Sequence, residues 1–288
     1  MRRPNFLIIG AQKAGTTSLH YYLSQHPEIF MLSQKETHYF TFQHDQSHPL
    51  HLSRGEYEKL FDPVKYETAV GETSPSYLYA AHVPIRIYEY NPEIRLIAIL
   101  RNPVERAYSS YLNSLRLGIE PVQKFENVIE LEKGRIQDGW DMRFHYLSKG
   151  FFYQQLSRYY QLFDPSQIKV ILFEDLIVHP QLVTKEIFTF LHIDDMIEFD
   201  NFQKFNKSGL ANNKILGKSF NILRKMFFYY QLKEKIPLKT RELIKNKIYP
   251  RYVRLSNTTR EKLMQLFAQD IQELETLIGR DLSFWLQS

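Results

Sequence analysis

The sequence predicts an α/β protein: a central parallel sheet with a helical C-terminal appendage. Three observations carry this. Over the first two-thirds of the chain, short β-rich runs alternate with amphipathic stretches, the pattern of strand-helix-strand units. The first such run, Phe6-Leu7-Ile8-Ile9, turns through a loop bounded by Gly10 and Gly15 into a helix-like stretch. Beyond Asp200 the alternation stops, and the last part of the chain has helical periodicity.

In chain order, strands are expected at residues 5–9, 69–72, 95–100 and 168–173, with a short extended segment at 29–32. Helices are expected at 16–25, 83–90, 104–115, 151–163 and 181–191. Pro103 falls in the first turn of one helix, and Pro92 and Pro165 in the turns before strands, where a missing N–H does no harm. Asn, Lys and Ser cluster at 201–214, and a basic segment with Phe227, Phe228, Tyr229 and Tyr230 follows to Arg254. Residues 256–285 start with a capping serine and repeat Leu263, Leu266, Ile271, Leu274 and Leu277 at helical spacing. No repeat or low-complexity linker divides the chain, so the expectation is one domain over 1–288: a core at 1–200, then the late loop and helical part at 201–288.

With 288 residues and 43% hydrophobic content the chain can bury a sizeable core. The absence of cysteine excludes disulfides, thiolate zinc sites and cysteine nucleophiles, and fits a reducing compartment. The apolar run after Met1-Arg2-Arg3-Pro4 is too short for a signal peptide, and no stretch approaches the roughly 20 apolar residues of a membrane span. A cytoplasmic protein, or a soluble catalytic part of a longer one, is expected. The net charge of +5 suits anionic ligands: an anionic glycan, a phosphorylated cofactor or a lipid surface. No RNP, zinc-finger or helix-turn-helix signature is present, so no nucleic-acid partner is expected.

Gly10 and Gly15 have the spacing of a Walker A loop, but Thr16 stands where its lysine belongs and Lys13 lies inside the loop. A strand turning into a helix through such a loop makes an anion site, because the first helical N–H groups are unpaired and the dipole favours negative charge. Ala14 and Gly15 complete the turn, Thr16, Thr17 and Ser18 supply hydroxyls, and Lys13 adds a full charge. An NTPase would need a magnesium-binding carboxylate at the end of a second core strand. Here the strand ending at Leu100 presents Arg101, an anion ligand, with Ser109 about two turns into the next helix. Two anion sites are therefore expected, one at Lys13–Thr17 and one at Arg101 and Ser109.

Gln12-Lys13-Ala14-Gly15-Thr16-Thr17-Ser18-Leu19 with His26-Pro27, and Leu100-Arg101-Asn102-Pro103-Val104-Glu105-Arg106-Ala107-Tyr108-Ser109, together resemble the sulfotransferases that use 3′-phosphoadenosine 5′-phosphosulfate (PAPS). The closest motifs are those of the heparan sulfate-type N- and O-sulfotransferases and their bacterial relatives. The similarity continues through Gly71-Glu72-Thr73-Ser74-Pro75-Ser76-Tyr77 to Gly279-Arg280-Asp281-Leu282-Ser283-Phe284-Trp285. It implies a three-layer α/β/α fold with a P-loop-like phosphosulfate loop, PAPS as donor, adenosine 3′,5′-bisphosphate (PAP) as product, and no metal requirement. It further implies that Lys13 to Ser18 hold the 5′-phosphosulfate and that Arg101 and Ser109 bind the 3′-phosphate. Lys207, Ser208 and Gly209 stand in the place of the family's late loop over that phosphate.

Direct transfer to a hydroxyl needs a base, charge stabilisation at the bridging oxygen and in-line geometry. Lys13 is by position the cation for the leaving oxygen. In Lys35-Glu36-Thr37-His38-Tyr39-Phe40 the glutamate matches the family's catalytic base, with His38, two residues on and on the same side of an extended segment, as supporting or alternative base. The family lysine that follows the residue matching Glu72 is replaced by Thr73. The expected acceptor is a hydroxyl, less commonly an amine, of a glycan; a hydroxylated lipid, polyketide or small metabolite is the alternative. A P-loop kinase or NTPase, and a non-catalytic nucleotide-binding protein, are the competing classes. His44, His48 and His51 match no metal-ligand spacing, so no metal site is expected. The basic aromatic segment 214–254 has three readings: solvated helix faces, an acceptor wall or a peripheral membrane contact.

Overall fold

The computed structural model describes residues 3–196 and 255–287. They fall into two units, one drawn from residues 3–102, 151–196 and 267–287, the other from residues 103–150 and 255–266.

The first unit holds a parallel five-stranded sheet in the order β2-β3-β1-β4-β5. The strands are β1 Phe6–Gly10, β2 Ile29–Met31, β3 Ala69–Thr73, β4 Arg95–Leu100 and β5 Ile168–Leu172. β1 is central, and Phe6, Leu7, Ile8 and Ile9 are fully buried, which is why this strand reads as a continuous apolar run and not an alternating one. Gly71 stands opposite Phe6 in the ladder. A Cβ there would lie 2.3 Å from the Phe6 ring, so only glycine admits the phenylalanine. Helix α1 (Thr16–Leu23) follows β1 and packs on β1, β2 and α9 (Pro180–Leu191). Short helices α2 (Tyr39–Phe42) and α3 (Arg54–Lys59) lie between β2 and β3 in the chain, and α4 (Val83–Tyr90) between β3 and β4. The architecture is the three-layer α/β/α fold with a central parallel sheet.

The second unit is helical: α5 (Pro103–Leu117), α6 (Phe125–Gln137) and two 3-10 turns, Met142–Phe144 and Ser148–Gly150. A buried Arg135–Glu120 pair fastens α6 to the segment after α5, with Tyr146 donating to the same carboxylate at 2.9 Å. Residues 257–266 of the late helix Asn257–Ile278 belong to this unit and residues 267–278 to the first; the helix is capped by Ser256, whose hydroxyl accepts from Thr259 N–H at 3.2 Å. Back in the first unit, α7 (Phe152–Tyr160) precedes β5, and α8 (Phe173–Val178) starts where β5 was expected to continue. Helix α6 was not expected from the sequence. Lys207, Ser208, Gly209 and the basic segment 214–254 lie outside the described residues.

Candidate active site

In a parallel sheet all strands end at the same edge, and ligands bind beyond those carboxyl ends where the strand order reverses. Lys13 follows β1, Glu36 and His38 follow β2, and Arg101 follows β4. Residues from distant parts of the sequence thus converge on one edge.

The loop after β1 begins with a slip in the ladder, where Ile8 pairs with Ile97 but Gly10 with Ala98. The extra residue bends the strand out of the sheet, and Ala11 N–H then bonds the Ile99 carbonyl at 2.6 Å. Lys13 has φ 72°. Gly15, at φ 97°, begins α1 without any side-chain cap, so the first helical amides face the loop. A Cβ on Gly15 would lie 2.9 Å from the Phe173 ring. Thr16 and Ser18 are buried, while Thr17 is half-exposed.

Arg101 is placed against this same loop. One guanidinium nitrogen donates to the Lys13 carbonyl at 3.3 Å, and the guanidinium lies 4.8 Å from the centre of the Phe173 ring. Asn102 N–H bonds Glu174 at 3.3 Å, and burial pushes the Glu174 carboxyl up. Ser109 is buried on α5, within the second unit.

The segment after β2 departs from the extended geometry expected for it. Glu36 and His38 have φ 60° and 54°, in the left-handed region. Among the described residues only Lys13, Glu36, His38 and His192 are non-glycine residues there. His192 merely ends α9, so the other three are all candidate site residues. Such strain of about 1–3 kcal/mol persists only where neighbours impose it. Here the neighbours are the end of β3 and its loop: Thr73 carbonyl accepts from Glu36 N–H at 2.9 Å, and Ser74 hydroxyl from His38 N–H at 3.2 Å. His38 Nδ1 is hydrogen-bonded to Ser76 Oγ at 2.8 Å, and its Nε2 stands 3.8 Å from a Glu36 oxygen. The carboxylate and imidazole therefore meet through a left-handed turn and not through strand alternation.

Between them, Thr37 points inward and donates to Glu72 at 2.8 Å. Glu72 is fully buried and also accepts from Tyr57 at 2.9 Å, Tyr77 at 2.7 Å and Ser74 at 3.0 Å. Burial pushes its carboxyl up, and the surrounding hydroxyls pull it back down. This knot ties the 36–38 turn to β3. Sequence reasoning reached Glu72 only as part of a matching segment; hydroxyls scattered from Thr37 to Tyr77 carry no spacing signal.

A second cation was also missed. Lys35 Nζ donates to Thr17 Oγ1 at 2.8 Å, and burial lowers the ammonium's pKa while Glu36 raises it. Nearby, His20 Nδ1 is hydrogen-bonded to Thr73 Oγ1 at 3.0 Å; burial, then Lys35, depresses this imidazole to about 4. Thr73, at the position where a lysine was noted as missing, is a buried partner of His20. Of the loop histidines, His48 stacks on Phe42 at 3.5 Å and His51 bonds the Gln43 carbonyl. Among the described residues no three His, Cys, Asp or Glu side chains are grouped to hold a metal, and no helix is long and apolar enough to cross a membrane.

The sulfotransferase domain family model matches residues 3–270. A sulfotransferase from Alicyclobacillus acidocaldarius, known from its crystal structure, is 29% identical with a TM-score of 0.76, the match covering 100% of both chains. The human bifunctional heparan sulfate N-deacetylase/N-sulfotransferase 2 is 28% identical over 232 residues, covering 76% of this chain and 26% of the relative. The membrane-associated sulfotransferase kil1 of Dictyostelium discoideum is 34% identical over 113 residues, 39% of this chain and 23% of the relative. The chain thus spans only 23 to 26% of the length of these two curated relatives. A strand-loop-helix anion site, an arginine where an NTPase needs a carboxylate, and a family match over most of the length lead to one conclusion: the chain belongs to the sulfotransferase family and is a transferase of that type.

Proposed function

We propose that this chain moves the sulfuryl group of PAPS in line to a hydroxyl of a glycan acceptor. The observation that carries the reading is the convergence of the Lys13 loop, the Glu36–His38 turn and Arg101 at the carboxyl edge of one parallel sheet. These residues fit such a donor: α1 has no side-chain cap, Gly15 leaves its N-terminus open, and Arg101 braces the loop from the far side. When bound, PAPS supplies a sulfuryl group already joined to a phosphate leaving group.

The roles of the chain's own residues follow from where they sit. The amides of Gly15, Thr16 and Thr17, with the Thr16, Thr17 and Ser18 hydroxyls, hold the phosphosulfate beside Ala14, and Lys13 neutralises the charge that gathers on the leaving phosphate oxygen. Arg101 takes the 3′-phosphate, guanidinium geometry suiting a phosphate better than any single point charge. Ser109, Lys207, Ser208 and Gly209 keep the 3′-phosphate roles their motifs imply. Glu36 removes the acceptor hydroxyl proton, and His38 Nε2 stabilises or shares it at Glu36 Oε2, 3.8 Å away. An arginine in place of the carboxylate after β4 supports transfer without a bound metal. The relatives named as heparan sulfate N-deacetylase/N-sulfotransferases support a glycan acceptor, with an amine as the alternative to a hydroxyl. The same edge could take a hydroxylated lipid or small metabolite, which acceptor screening separates.

The test is calorimetric titration with PAP against ATP and 5′-AMP, each with and without magnesium. Tight binding that requires the 3′-phosphate and ignores magnesium is expected. Preference for ATP with magnesium would overturn the PAPS reading of this site.

A further inference from the structure

Lys35 sits where an ammonium is electrostatically out of place. The N-terminus of α1 carries a partial positive charge, which favours anions and opposes cations within the first turn. Yet the Lys35 ammonium is hydrogen-bonded to Thr17 in that first turn, 2.8 Å away, and is half-buried there. Among the described residues it makes no ion pair within 4.0 Å; the charge that faces it is the adjacent Glu36. His20, one turn further along α1, is held neutral on the same side. An ammonium held by Thr17 against a helix N-terminus is opposed by the dipole, and an anion bound at the loop would relieve both charges.

The backbone explains how the cation gets there. Glu36 N–H is fixed to Thr73, and the left-handed turn at Glu36 makes the two neighbouring side chains diverge: Lys35 reaches in to α1, and Glu36 stays exposed. One dipeptide thus addresses two sides of the site, the carboxylate toward the acceptor and the ammonium toward the phosphosulfate loop.

We propose that Lys35 is a second catalytic cation, contacting the sulfuryl oxygens during transfer while Lys13 serves the leaving phosphate. This rests on the donor reading given above. In the step, the acceptor oxygen forms its bond to sulfur, its proton passes to Glu36, and the S–O bond to phosphate breaks with the electron pair leaving on the phosphate oxygen. Lys35 stays protonated throughout and gains its strongest contact as charge spreads over the equatorial oxygens.

The test compares wild type with Lys35→Met and Lys35→Arg. Three quantities are read: PAP affinity by calorimetry, affinity of inorganic sulfate for the PAP-saturated protein, and transfer kinetics. PAP lacks the sulfuryl group, so Lys35→Met should change its affinity by less than threefold. Sulfate affinity should fall at least tenfold, and kcat at least a hundredfold with acceptor KM nearly unchanged. Lys35→Arg should restore part of both. Loss of PAP affinity in parallel with kcat would reduce Lys35 to a loop-positioning residue and overturn the proposal. Unchanged sulfate binding and kcat would do the same while leaving the donor reading intact; failure of the wild type to bind PAP would sink both.

Discussion

Gly15→Ala tests how the loop is held open. At φ 97° an L-residue meets the steric cost of left-handed backbone, about 1–2 kcal/mol. Its Cβ would also lie 2.9 Å from Phe173 Cδ2 and 3.1 Å from Cε2, inside contact distance, so the ring must rotate off its rotamer for another ~0.5–1.5 kcal/mol. The sum is roughly 2–3 kcal/mol of stability. The same ring supports Arg101 at 4.8 Å, and Arg101 in turn bonds the Lys13 carbonyl, so the displacement passes to both residues proposed to hold the donor. Urea unfolding of the unliganded protein should report that loss, and calorimetry should show PAP binding at least tenfold weaker. Phe173→Leu in the Gly15→Ala background removes the steric part and leaves the backbone part, so about 1–2 kcal/mol should remain. A Gly15→Ala protein within ~0.5 kcal/mol of wild type, with unchanged PAP affinity, would refute the reasoning.

Other substitutions separate the assigned roles. Glu36→Gln should lower kcat by about 10²–10⁴-fold, the range for loss of a general base, and leave PAP affinity unchanged in the same titration. Arg101→Ala should do the reverse, weakening PAP by roughly 10–100-fold, as expected for lost charge-assisted bonds, with a smaller effect on saturated turnover. Glu72→Leu leaves the hydroxyls of Thr37, Tyr57, Ser74 and Tyr77 without their shared acceptor, so unfolding should report a loss of roughly 3–5 kcal/mol. Asp270 accepts from Tyr153 and Gln154 N–H at the start of α7, but burial outweighs these bonds and pushes its carboxyl up to about 6. The folded protein therefore holds this proton more tightly than the unfolded chain. The contribution is complete below about pH 4, the ordinary aspartate range, and is lost as pH rises through 6. Thermal unfolding across pH 4 to 7 should show wild type losing stability relative to Asp270→Asn on that rise; parallel curves would contradict it.

By itself the sequence determined the elements whose signals are local. Phe6 to Ile9 announce a buried parallel strand because both faces of a central strand are apolar. Gly10 and Gly15 mark the loop because backbone chemistry selects them at a fixed spacing. Arg101 was legible because a cation replaces the carboxylate that another chemistry would demand. Motif resemblance pointed to Glu36 and His38, but the period-two rule misjudged their geometry, since a left-handed turn imposed by Thr73 and Ser74 is invisible to local pattern. Helix α6 was hidden by Gly134 and by charges that periodicity reads as loop. Only the tertiary structure decided the strand order that sets β1 between β3 and β4 and so brings residues 13, 36, 38 and 101 to one edge. It alone also disclosed Lys35 on Thr17 and the hydroxyls gathered on Glu72. Those contacts join residues far apart in the chain, and their energies depend on burial and direction, quantities that sequence spacing does not encode.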